Sequence, residues 1–270
     1  MNRLILWRML QEEIRLNTSF ASGKGFYSFP ILVSISGFLA IAFTDEMIAD
    51  MGYIEYLEVL HFGILFYGVF AGTLAFFGNE FLERIFGYLG LIIGLPTTQP
   101  ITQRKITLLY FIKEFIFYSL FTLIPAFIGG LIGSYFYGID LINLIEFSIS
   151  LSFSFLTGLS FAYLISSLYR ISWKFSVVGG LVTLIIYSLS VRNIAITPSL
   201  EWYLHKEPIF IFISLFNPLI ISFCATILVK NYYEEGSIKT IGYRDRLKEY
   251  IKKFNWAKKI SNPTIISKER

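Results

Sequence analysis

From Phe26 to Phe43 the chain carries no charged side chain, and the same holds from Pro208 to Val229. Four more long apolar stretches lie between these two: Leu57 to Gly78, Ile106 to Tyr137, Leu141 to Leu168 and Trp173 to Val191. A bilayer core of ~30 Å takes about 20 apolar residues in helical form. With 55% hydrophobic and 16% charged residues, and a mean hydropathy of +0.63, a soluble domain of this size has no room to hide so much apolar surface. The reading is an all-α integral membrane protein with six transmembrane helices. Residues 26–229 form the six-span domain, preceded by an amphipathic helix over residues 1–25 and followed by a basic cytoplasmic tail over residues 230–270.

Charge placement orients it. With both termini inside, only Arg192 and Lys206 of the 23 Lys and Arg fall on the outer side. The first outer segment, Thr44 to Glu58, holds Asp45, Glu46, Asp50, Glu55 and Glu58 and no Lys or Arg. This is a strong positive-inside bias and predicts a multi-pass protein of the inner or plasma membrane with cytoplasmic termini. The basic residues cluster at span flanks and in the tail, which speaks for orientation and against a nucleic-acid partner. The lone Cys224 excludes a disulfide framework, and with only His61 and His205 a histidine metal centre is not expected.

Near the N-terminus, Arg8, Gln11, Glu12 and Arg15 form one polar stripe, with Leu6, Trp7, Leu10 and Ile14 on the other face. That pattern predicts a helix lying in the inner headgroup layer. The first two turns of the third span, with Lys113 and Glu114, are expected to project into the cytoplasm. Pro125 predicts a kink further along the same span. Small residues mark close helix contacts: Gly68 and Gly72 in the second span, Gly129, Gly130 and Gly133 in the third, and a face of Ser150, Ser154, Thr157 and Gly158 in the fourth. Pro198 to Lys206 reads as a short helix at the outer interface.

Asn79 to Ile106 separates the second span from the third. At helical spacing Phe81, Ile85, Leu89 and Ile92 share a face, with Glu80, Glu83, Arg84 and Gly87 opposite. Gly94-Leu95-Pro96 ends this short amphipathic helix. Here the order Glu83-Arg84-x-x-Gly87-x-Leu89-x-x-Ile92-Ile93-x-x-Pro96 resembles the ER-x-x-G-x-L-x-x-LL-x-x-P pattern of ABC-2 type permeases, the membrane subunits of ATP-driven exporters. Pro100 to Ile106 is similar to the turn that follows in that family, displaced four residues beyond Pro96. The resemblance implies a coupling helix in which Glu83, Arg84, Phe86, Gly87, Leu89, Ile92, Ile93 and Pro96 engage a P-loop ATPase in trans. It also implies a homo- or heterodimer of permeases and an N-terminal elbow helix. The exported substrate would be of lipid, drug, peptide or glycan type.

This chain has no P-loop: Gly236-Ser237-Ile238-Lys239-Thr240 lacks the second glycine and its spacing. ATP and Mg would therefore sit on the partner. The chain itself is expected to hold no cofactor, no metal and no catalytic residues, and not to be an enzyme alone. Glu58, His61 and Glu146 lie just inside the outer ends of spans, where an ionisable group is either functional or a solvated interface residue. Glu58, Glu146, Ser154 and Asn217 are the candidate pathway or outer-gate positions. Two other classes stay open: an ATPase-independent transporter or channel with ion coupling through Glu58 or Glu146, and a membrane anchoring or assembly protein.

Overall fold

A computed structural model describes residues 2–20, 24–86, 102–172, 174–175, 177–181 and 198–229. Among them every regular element is a helix. In chain order these are α1 (Asn2–Phe20), α2 (Lys24–Ala42), α3 (Thr44–Met51), α4 (Tyr53–Phe86), α5 (Gln103–Tyr118), α6 (Ile124–Tyr137), α7 (Leu141–Ile171), α8 (Pro198–His205) and α9 (Pro208–Leu228). A π-helical turn, Ser119–Leu123, joins α5 to α6 without a break. Among the described residues five stretches are long and apolar enough to cross a membrane: Gly25–Ala42, Tyr53–Ala75, Arg104–Tyr137, Leu141–Tyr169 and Pro208–Leu228. Most of the fifth apolar stretch of the sequence, Trp173 to Val191, lies outside the described residues, as does the basic tail after Val229.

The helices associate as two tight pairs, α2 with α6 and α4 with α7, and α9 packs along α7. The pairing follows from the small residues, because lipid gives helices no hydrophobic reason to associate and close van der Waals packing must do it. A Cβ added at Gly129 would stand 1.8 Å from the Ser34 carbonyl oxygen, and one at Gly158 would stand 2.1 Å from that of Leu65. The backbones of each pair therefore approach to a distance that admits only glycine at these points. The glycine and serine faces expected of the third and fourth spans are the faces in contact.

Three elements differ from the sequence expectation. The acidic segment after the first span is not a plain connection but α3, separated from α4 by Gly52 at φ 89°. The second span does not stop at Gly78: α4 continues helical through Asn79 and Glu83 to Phe86. The third span carries its irregularity before the proline. Pro125 has no N–H, and its ring crowds the carbonyl four residues back, Phe121, which lies within the π turn. The wider turn absorbs that conflict while the helix stays continuous.

Helix α1 packs against α5 and α2. Met9 and Leu10 are buried, whereas Trp7 and Leu4 are exposed. Leu6, Leu10 and Ile14 of the face read from periodicity do pack inward, Trp7 does not, and Met9 and Glu13 join the inward face instead. The slight turn of the helix brings Glu13 to a buried partner on α5.

Candidate functional site

That partner is Lys113. Expected to project into water with Glu114, it is instead fully buried, and Glu114 is 2% exposed. Lys113 Nζ donates to Glu13 Oε2 at 2.7 Å, bonds Glu114, and lies 4.1 Å from the centroid of the Tyr110 ring. Its three N–H donors therefore meet two carboxylates and an aromatic face. Glu13 also accepts from Asn17 Nδ2 at 3.1 Å. A charge buried among helices is tolerable only when paired and hydrogen-bonded, and the cluster meets that condition across α1 and α5. More than two turns earlier on the same helix, Arg104 Nε donates to the Val229 carbonyl at 2.9 Å, tying the start of α5 to the end of α9.

A second polar cluster lies toward the opposite ends of α4 and α7. His61 is fully buried on α4. Its Nδ1 lies 2.9 Å from the Leu57 carbonyl oxygen and its Nε2 lies 2.7 Å from Ser150 Oγ on α7. Ser150 Oγ is 2.5 Å from the Ser199 carbonyl oxygen, and Ser154 Oγ is 2.7 Å from Ser199 Oγ. Ser150 and Ser154 are four apart on α7, so both reach the N-terminal turn of α8. A carbonyl only accepts, so Nδ1 carries the ring hydrogen. With the ring neutral, the single Ser150 hydroxyl hydrogen then serves two acceptors, Nε2 and the Ser199 carbonyl. Phe147 stands edge-on to His61, with ring centroids 5.6 Å apart, and packs on Tyr203 of α8.

The outer-gate candidates do not form one site. Glu146 pairs with Lys206, which ends α8 in the left-handed region at φ 56° and lies 4.6 Å from the Tyr203 ring centroid. Burial pushes the Tyr203 phenol above the ordinary tyrosine range. Ser154 belongs to the serine network with His61. Glu58, only three residues from His61, is exposed on the outside of α4. Asn217 is half-buried on α9, beside the buried Pro218. Of the coupling positions, Glu83, Arg84 and Phe86 are described as backbone at the end of α4. Gly87, Leu89, Ile92, Ile93 and Pro96 lie outside the described residues.

Between the two helix pairs lies a cavity of 710 Å³. Gly37 and Ile41 of α2, Leu60 and Ile64 of α4, and Leu144 and Ser148 of α7 line its length. Tyr53, Tyr56 and Tyr203 line one end, where Tyr56 Oη bonds the Ala40 carbonyl at 3.2 Å and lies 3.3 Å from Thr44 Oγ1. Ser119 of the π turn reaches the cavity from α5. Among the described residues no charged side chain lines it. The tight pairs explain the space: glycine faces are spent within each pair, and bulkier residues meet between pairs. Sequence reasoning missed Glu13, Ser119, Ser199 and Tyr203. Ser199 carried one usable signal, its place directly after Pro198 at a helix start. Compared with known proteins, the chain matches no family model, no curated protein and no solved structure.

Proposed function

We propose that this chain is the permease subunit of an ATP-driven transporter of the ABC-2 type, working as a dimer with a separate P-loop ATPase. The observation that carries the reading is the Glu83-Arg84-x-x-Gly87 to Pro96 spacing, which begins on the last turn of α4. A helix that runs unbroken from Tyr53 to Phe86 is a rigid lever, so force applied near its end tilts the whole of it. The elbow helix α1, held to α5 by Glu13 and Lys113, supports the same reading. In it the end of the bundle with Phe86, Arg104 and Val229 faces the cytoplasm, and a substrate of lipid, drug, peptide or glycan type leaves at the other end.

Six crossings follow from the same frame. Glu146 near the start of α7 meets Lys206 just before α9, and Tyr163 further along α7 meets Thr226 near the end of α9. The two helices thus run parallel, and we infer that the chain between Ile171 and Pro198 returns through the membrane. Cysteine scanning in a Cys224→Ser background tests this arrangement: Asp140→Cys and Glu207→Cys should react with an impermeant maleimide from outside, and Arg8→Cys only after permeabilisation.

The function is tested by purification from native membranes in mild detergent, wild type against Phe86→Asp with Leu89→Asp. A P-loop ATPase should accompany the wild type and be lost from the variant while the protein stays inserted. Absence of any ATPase from the wild type would defeat the reading and leave ion coupling through Glu58 or Glu146 as the next test.

A further inference from the structure

Helix α1 has a second face that neither the Lys113 cluster nor the coupling segment uses. Met9, Leu10 and Glu13 turn toward the bundle. On the opposite side Leu4, Trp7, Arg8, Gln11 and Arg15 fall within about 100° of arc at helical spacing, with Arg3 at the edge, and all are exposed. Leu4 is 64% and Trp7 57% exposed, so two large apolar side chains stand among guanidinium groups. That mixture suits neither water nor hydrocarbon alone, but the boundary where both are within reach.

Two lengths place α1 at such a boundary. The apolar stretch Gly25–Ala42 starts just after α1 and rises about 27 Å, one bilayer core. In the third span, exposed Tyr135 and Tyr137 mark one interface. Counting back about 20 residues, or about 30 Å, leads to Phe117. Phe117 stacks on Phe26 with centroids 6.5 Å apart, and Leu10 of α1 is buried against both. Both spans therefore reach headgroup depth where α1 meets them.

The charge on the outward face is unbalanced. Arg15 is paired with Glu12 at 2.7 Å, and the other carboxylate of α1, Glu13, is turned inward to Lys113. Arg8 meets Gln11 Oε1 at 3.5 Å, the long limit of a hydrogen bond, which leaves further donors on an exposed guanidinium. Guanidinium is the side-chain group whose fork matches phosphate oxygens.

We propose that this face of α1 binds anionic phospholipid headgroups, with Arg3 and Arg8 on phosphate and Leu4 and Trp7 seated at the acyl boundary. A zwitterionic lipid offers the same phosphate but brings its own cation, so the face selects for net negative charge. The inference does not rest on an ATPase partner.

Bromolipid quenching tests it on the full chain in nanodiscs. One protein keeps Trp7 and carries Trp173→Phe, Trp202→Phe and Trp256→Phe; a second keeps Trp202 and carries Trp7→Phe instead. The probes are phosphatidylglycerol and phosphatidylcholine, mixed, with either one brominated in its chains. Trp7 should report phosphatidylglycerol enriched by up to about five-fold per arginine at low salt, and less at high salt. Trp202, at the far end of the bundle, should report none. Arg3→Gln with Arg8→Gln should remove most of the enrichment, and Arg3→Lys with Arg8→Lys should keep most of it. Glu12→Gln with Arg15→Gln removes an ion pair at constant net charge and should leave it unchanged. Equal quenching of Trp7 by the two lipids would overturn the proposal. So would enrichment that survives the double glutamine variant, or the same enrichment at Trp202.

Discussion

Removing Lys113 should cost far more than removing it together with Glu114. In Lys113→Met the ammonium disappears and Glu114, 2% exposed, is left with its carboxylate buried and its principal partner gone. Breaking a buried pair from one side costs about 3–5 kcal/mol, because the remaining charge has neither water nor a counter-ion. In Lys113→Met with Glu114→Leu no unpaired charge remains on α5. Glu13 is 19% exposed and keeps the Asn17 amide at 3.1 Å, so it is partly solvated when Lys113 is gone. Replacing both members of a buried pair by apolar residues of similar size is often neutral. The double variant should therefore lie within about 1 kcal/mol of wild type. Unfolding by SDS titration in mixed micelles, followed by circular dichroism, measures both. Equal destabilisation of the single and double variants would show that packing volume, not an abandoned charge, sets the cost. A single variant as stable as wild type would show that the two groups are not buried together.

Other expectations follow from the same contacts. Gly158→Ala places a methyl on the Leu65 carbonyl of the α4–α7 pair and should destabilise by about 1–3 kcal/mol, read by the same titration. Ser150→Ala takes away a hydroxyl shared by His61 and the Ser199 carbonyl, and should cost about 1–3 kcal/mol. Ser152→Ala, which loses only a bond within its own helix, should cost about 1 kcal/mol or less. Glu146→Gln breaks a pair that is partly exposed on both sides and should change stability by no more than about 1 kcal/mol. If Glu146→Gln instead unfolds the protein, the Lys206 pair is more deeply desolvated than its exposure indicates.

The first and last spans were legible because hydropathy is local. Phe26 to Phe43 and Pro208 to Val229 announce themselves without reference to any other part of the chain. The contact faces around Gly129 and Gly158 were legible too, since small residues at helical spacing have few other uses in apolar spans. Lys113 and Glu114 were misjudged for the converse reason. Their burial depends on Glu13, a hundred positions away, and a charged pair read alone looks like a solvated one. The π turn at Ser119 gave no signal of its own, because it answers to Pro125, six residues downstream. The coupling segment was conspicuous in sequence through its spacing, and most of it lies beyond the described residues.

The π turn has a consequence for how one span serves two sets of neighbours. One extra residue in a turn advances everything after it by about 100° around the axis. Below the turn, α5 packs on α1 and α9; above it, α6 packs on α2, and α7 touches both segments. A regular helix would point one continuous stripe at one side of the bundle. The inserted residue turns the upper segment out of phase with the lower, so a single crossing acts as a coupling between two shafts set at different angles.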